Sequence, residues 1–322
     1  MECERRAIRV SEIAEDPGVT VVASYYLGLI HHSLGDYQAA MQCHTRTAES
    51  LDGERVRERF GMAGFPAVMA RSYLGWSLAE LGQFVDAVAI GRESVRLAQE
   101  LNQSYSQALA EGWLGGVYLR KGALNEAICS LEHSLTLCES MSFRLLFPIV
   151  ASFLGPAYAL SGQLSRAISL LELALETAAS MGTMHYRSLE VAALSETYLL
   201  AGRISDAVPL ARQALELSQA QKERGWEAWI LRLMAEIESH REPLHVDEVK
   251  RLYGQALSLA KETGMRPLAA RCHLGLGELA QKVADAQEVQ EQLTNALMMV
   301  REMGMQYWLQ RAESALKNLS PR

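Results

Sequence analysis

Histidine, carboxylate and glycine clusters are the places where this chain could do chemistry. His240 and His245 lie close to Glu238, Glu242 and Asp247 in "ESHREPLHVDE". That set could hold a metal ion, although a solvated polar loop is built from the same residues. "LGGVYLRKGALNEA", residues 114–127, places Gly115, Gly116 and Gly122 within nine positions. Such glycines can cradle a phosphate, break a helix, or let packed helices touch. "CHLGLGEL" (272–279) contains G-x-G, but its apolar spacing is helical with no strand before it, which argues against a dinucleotide turn. Serine, histidine and aspartate are too dispersed for a triad, and G-x-x-x-x-G-K-[ST] is absent. No catalytic residue, cofactor or metal is expected.

The glycines are explained by repetition. LGLIHHSLGDYQAA (27–40), LGWSLAELGQFVDA (74–87), LGPAYALSGQLSRA (154–167) and LSETYLLAGRISDA (194–207) share one frame with 114–127, and LGELAQKVADAQEV (276–289) is a weaker copy. The frame is L-G-x-x-Y-x-x-x-G-x-L-x-x-A. Gly75, Gly115, Gly155 and Ser195 recur every 40 residues. A phosphate loop occurs once, whereas a recurrence of this length marks a solenoid. Within a unit, Ala110, Leu114, Val117 and Tyr118 form one helical stripe, and Leu124, Ala127, Ile128, Leu131 and Leu135 form a second. Gly122 therefore falls at the end of the first helix, where a left-handed residue closes the turn. Gly115 falls inside that helix, where a missing side chain lets the second helix approach. His31 takes the frame's tyrosine position and is expected to be buried.

Composition agrees with this reading. The chain is 49% hydrophobic with 8 prolines among 322 residues, which favours helix over strand. A formal charge of −7 makes unaided binding to nucleic acid or to an anionic membrane unfavourable. Five scattered cysteines without C-x-x-C read as reduced thiols of a cytoplasmic protein. No apolar run approaches the roughly 18–20 residues of a membrane span.

The frame resembles the tetratricopeptide (TPR) repeat, lengthened from 34 to 40 residues. The resemblance implies an all-α, right-handed superhelical solenoid spanning 1–322. Seven helix pairs are expected near 20–52, 64–101, 104–141, 144–181, 184–221, 224–264 and 267–303. Residues 1–19 would be a partial repeat or N-terminal cap, with helix over residues 3–15, and 306–318 a C-terminal cap helix. The sixth unit departs from the frame, with Met234 in place of glycine and about three extra residues between its helices.

In the TPR family the first helix of each pair lines a concave groove. Carried onto this sequence, the groove positions are Tyr25 and Leu29, Ser72 and Trp76, Gly112 and Gly116, Ser152 and Pro156, Ala192 and Glu196, and Leu231, with Ala235, Leu274 and Glu278 beyond. Leu119 and Arg120 lie one turn further on. The resemblance thus implies a smooth floor for a helical or extended segment, with Tyr25 and Trp76 as anchors and Gly116 leaving space. Alternatively, neighbouring turns of a tight superhelix, or the chain's own terminus, fill that groove. Pro156 removes the donor for the Ser152 carbonyl; the resulting bend either opens the groove to a ligand or simply fits the superhelix.

Three stretches resemble a narrower group: "RLLFPIVASFLGPAYALSGQLSRAISLLELALE", "ERGWEAWILRLMAEIESH", and "GMRPLAARCHLGLGELA" with "MVREMGMQYWLQRAESAL". They are similar to the C-terminal repeats of bacterial signalling proteins carrying a class III adenylate or guanylate cyclase and an AAA-type ATPase. This implies a non-catalytic scaffold in bacterial signalling, with a protein or peptide partner and descent from a longer protein. The alternative is a small-molecule-sensing TPR domain of a transcriptional or cyclase regulator. Self-association through Met303, Met305 and Trp308 is a further expectation, as is their packing under the terminal helix.

Overall fold

The computed structural model describes residues 16–317, so the expected helix over 3–15 lies outside the described residues. The described residues form fifteen α-helices and no strand. Seven pairs follow one another: α1 Pro17–Ser33 with α2 Tyr37–Glu49, α3 Pro66–Glu80 with α4 Phe84–Glu100, and α5 Ser104–Lys121 with α6 Leu124–Ser140. Then come α7 Phe147–Leu160 with α8 Leu164–Met181, α9 Arg187–Leu200 with α10 Ile204–Gln221, α11 Arg224–Glu238 with α12 Val246–Thr263, and α13 Arg266–Lys282 with α14 Ala286–Glu302. The closing helix is α15, Gln306–Lys317. The architecture is an all-α, right-handed solenoid. No described helix is long and apolar enough to cross a membrane.

Local signals place the helix ends. Asp16 caps α1, its carboxylate accepting from the Gly18 amide at 2.8 Å, and Pro17 occupies the first turn. Gln103 caps α5 through the Ser106 amide. Gly122 ends α5 at φ +82°, and the frame's other turn glycines share that region.

A methyl group at Gly115 would overlap Leu131 of the partner helix. This is the close approach that the frame's first glycine permits. Gly115→Leu is therefore expected to loosen the α5–α6 interface by about 1–3 kcal/mol. A urea midpoint unchanged from the parent would show that the two helices do not meet there.

The superhelix is tight enough to close on itself. Gly35, in the turn between α1 and α2, packs against Gly225, Arg224 and Thr263 of the sixth unit. Gly82, in the second unit, meets Met303 and Pro267, and Gly122, in the third, meets Tyr307 and Trp308. Each contact joins elements five units apart, so five units make one turn. The first helices share in this closure: α1 touches α11, and α3 touches α13.

Consequently the first helices after α1 are largely enclosed, while α1 keeps an exposed face with Val19, Tyr26 and Ile30. All of α3 except Arg71 is buried, the pattern of a helix that contacts protein all round. The second helices keep an outer solvated face. Met303, Met305 and Trp308 are 6%, 0% and 2% exposed. They pack within the chain under α15 and present no outer surface.

His31 corrects one expectation. It is partly exposed and faces Asp36 at 3.4 Å, because the helix turns the next residue, His32, inward instead, onto Ser77 and Trp76 of the neighbouring unit. His32 is buried, its Nδ1 lying 2.9 Å from Ser77 Oγ. His44 is fully buried beneath Gly28 and stacked on Tyr73, and among the described residues no hydrogen bond of good geometry reaches its ring nitrogens.

Burial lowers the pKa of both buried rings from 6.5 to about 3. Their neutral forms thus give stability that is complete above pH 6.5. It is lost as pH falls toward 3, because the unfolded chain takes up the protons first. Each histidine contributes about 1.4 kcal/mol per pH unit in that window. Glu190 works in the opposite sense: burial raises its pKa to about 7, so the folded state gains as pH falls from 7 to 4.5. Substitution isolates the histidine effect. The stability difference between parent and His44→Phe is expected to shift toward the variant by about 1.4 kcal/mol per unit between pH 6 and 4. Parallel urea-unfolding curves at pH 7, 6 and 5 would overturn the assignment.

Candidate functional site

The superhelix axis is plugged by aromatic rings drawn from five units. Trp76 lies 5.7 Å from Trp113, 5.4 Å from Phe153, 6.0 Å from Tyr186 and 5.8 Å from Trp226. The Tyr73 and Tyr186 hydroxyls share a 2.7 Å hydrogen bond. Tyr186 is held at φ +62° just before α9, a strained backbone for a bulky residue. The plug's packing on its ring and the bond to Tyr73 hold it there.

Beside the plug, Glu80 joins three units. Its carboxylate, 2% exposed, accepts from Trp76 Nε1 at 3.2 Å, Arg120 Nε at 2.8 Å and Trp229 Nε1 at 2.9 Å. Trp229 lies 149 residues further along the chain.

The plug divides the groove into two openings. The first lies toward the N-terminal ends of the first helices. It is a mouth of about 300 Å³ among Tyr25, Tyr26, Leu29, Tyr105, Leu145 and Glu190. Tyr26 and Leu145 are 51% and 62% exposed, forming an apolar rim. Glu190 is the buried acid there, paired with Arg187 at 3.1 Å.

The second opening lies on the C-terminal halves of the same helices. It is a chamber of about 50 Å³ lined by Arg120, Arg232, Arg271, Trp229, Trp308 and Glu196, among others. Arg232 donates to Glu196 at 2.8 Å and pairs with Glu236, and Arg271 reaches Glu196 at 3.1 Å. Burial alone would raise the pKa of Glu196, but the two guanidiniums hold it down at about 2.

The groove positions expected from sequence are therefore dispersed. Tyr25 and Leu29 line the mouth. Leu119, Arg120, Ser152, Pro156, Ala192 and Glu196 line the chamber. Ser72 turns toward α4, its hydroxyl 2.7 Å from that of Ser94. Gly112 is closely backed by Ser134 and Val150, whereas a methyl group added at Gly116 would sit 3.6 Å from the Phe153 ring, in ordinary contact. Trp76, 1% exposed, forms the plug, while Leu231 is buried in the core. A tight superhelix fills the groove.

Tyr26, Tyr105, Arg232, Arg271 and Trp308 are site residues that the groove positions missed. Arg232 carried a sequence signal, as a lone charge inside the apolar run "AWILRLMA". The cluster at His240 and His245 does not assemble: His240 Nδ1 lies 2.8 Å from the Glu236 carbonyl, and Glu238 pairs with Arg241. No group of three or more His, Cys, Asp or Glu among the described residues is arranged to hold a metal ion.

No protein-family model and no curated protein matches the chain. Solved structures do. A Rap regulator of the conjugation genes of plasmid pLS20, in complex with the Phr* peptide, is 16% identical over 92% of this chain and 76% of that one, with a TM-score of 0.68. A Rap protein complexed with competence and sporulation factor is 12% identical over 99% and 95%, at 0.60. Aspartyl phosphate phosphatase F from Bacillus subtilis is 11% identical over 91% and 73%, at 0.57. At these identities the likeness is one of fold. The fold is a TPR-like solenoid. Within this TPR-like solenoid the mouth and the chamber are what remains of the concave groove.

Proposed function

We propose that the chain is a non-catalytic regulatory scaffold that binds a short peptide or a partner's segment at the tyrosine-rimmed mouth. The observation that carries this is the mouth itself: an apolar opening at the end of a filled superhelix, with exposed Tyr26 and Leu145 at its rim. About 300 Å³ admits one or two large side chains and excludes a whole helix. Tyrosine is among the residues favoured at binding hot spots. Two Rap proteins of similar fold were solved in complex with the Phr* peptide and with competence and sporulation factor, which supports a peptide ligand here. We further propose one continuous solenoid over 1–322, working in the bacterial cytoplasm as a signalling module. The three stretches similar to cyclase–ATPase proteins support that setting.

The test is selection of random linear peptides on the immobilised chain, followed by affinity measurement against Tyr26→Ala and Leu145→Ala. Both positions are exposed, so the fold tolerates the change. Selected peptides are expected to carry an apolar or aromatic anchor and to lose tenfold or more in affinity. Equal binding to parent and both variants would refute the mouth as the site. Stabilisation by a small molecule, with no peptide selected, would favour the sensor reading, since ligand pockets start at about 300 Å³.

A further inference from the structure

The chamber on the other side of the plug has a surplus of one kind of group. Arg120 Nη2, Arg232 Nε, Arg271 Nε and Trp308 Nε1 are buried N–H donors without an acceptor among the described residues. All four side chains line the same cavity, and the Arg232 side chain is 2% exposed. The acceptors nearby are already engaged: Glu80 by Trp76, Arg120 and Trp229, and Glu196 by Arg232 and Arg271.

The guanidinium planes are also held in place. Arg120 lies 4.0 Å over the Trp229 ring and Arg271 lies 4.1 Å over the Trp308 ring. Stacking of this kind fixes the plane and leaves the N–H edge pointing outward. A buried donor left unmet carries a desolvation cost. All four donors belong to side chains around one cavity of about 50 Å³, where a bound acceptor would meet them.

We propose that this chamber binds a single carboxylate group. The choice of a monoanion follows from charge. Three guanidiniums face Glu80, Glu196 and Glu236, so a bound anion adds its full charge to a balanced buried cluster; a carboxylate adds one charge and a dianion two, which makes the dianion the costlier ligand. A carboxylate is also planar and matches the guanidinium fork. The space admits the group with a short stem lying against Leu119, Pro156 and Leu160. Its source is either a small free acid or the C-terminus of a peptide. The proposal does not rest on the mouth, which is a separate opening.

The test uses the full chain, with thermal unfolding and tryptophan fluorescence followed during titration with sodium acetate, against sodium chloride at equal ionic strength. Acetate is expected to raise the melting temperature saturably and chloride is not. Trp308→Phe keeps the packing and deletes one donor, and Arg271→Lys keeps the charge and deletes the fork. Each is expected to weaken acetate binding about tenfold. N-acetyl-leucine and N-acetyl-leucinamide separate the sources. Tighter binding of the acid than of acetate, with no binding of the amide, assigns a peptide C-terminus, and acetate binding alone assigns a small free acid. Indistinguishable acetate and chloride curves, or full acetate affinity in Trp308→Phe, would overturn the proposal.

Discussion

Trp76→Ala is expected to cost about 3–5 kcal/mol of stability, the range for removing a large aromatic side chain from a packed core. The side chain is 1% exposed and is surrounded by rings from four other units and from α1. Its loss removes contacts that hold the two halves of the superhelix together, so the midpoint of urea unfolding should fall. The same residue in an open groove would behave differently. An exposed anchor changes stability by no more than about 0.5 kcal/mol when truncated, and its loss appears only in binding. The size of the stability change therefore separates a plugged superhelix from an open one.

Glu80→Ala should have an effect of similar size for a different reason. The carboxylate accepts from two indole N–H groups and from Arg120. Removing it leaves a guanidinium that is 13% exposed without its anion, and removal of one partner of a buried pair costs about 3–5 kcal/mol. Glu80→Gln, which retains an acceptor, should fall between parent and alanine. Equal stability of parent and alanine variants would mean that Arg120 and Trp229 reach solvent or other partners. The two substitutions act on adjoining groups of one core, so their effects should not add.

The repeat was legible in the sequence because most of its determinants are local. Gly122 and its equivalents mark turns, Gly115 and Gly155 mark helix contacts, and the frame's tyrosines and alanines mark the inner face. The helix pairs follow from these to within a few residues. A second recurring turn was less visible. Asn102, Ser142, Gly182 and Lys222 all take positive φ after the second helix of a unit, yet they share no residue type, so the 40-residue spacing alone connects them.

Closure was the part left open, and it decides the site. Whether units five apart meet depends on small rotations accumulated over many interfaces, and no single residue encodes that sum. Its traces in the sequence are indirect. Glu80, His32 and Arg232 stand as polar residues among apolar ones, and tryptophans and tyrosines are concentrated on the first helices. An open groove would leave those aromatic rings facing solvent. Closure gives them one shared core and gives the polar groups one another, and it moves binding from the groove to its two ends.

The most direct test of closure is a double-mutant cycle between Glu80→Ala and Trp229→Phe, with stabilities taken from urea unfolding. These residues lie 149 positions apart and belong to the second and sixth units. In an open solenoid each unit contacts only its neighbours. The closed superhelix predicts a coupling energy of about 1.5–3 kcal/mol, the value of a hydrogen bond to a charged group. Additive effects, with coupling below about 0.5 kcal/mol, would contradict it.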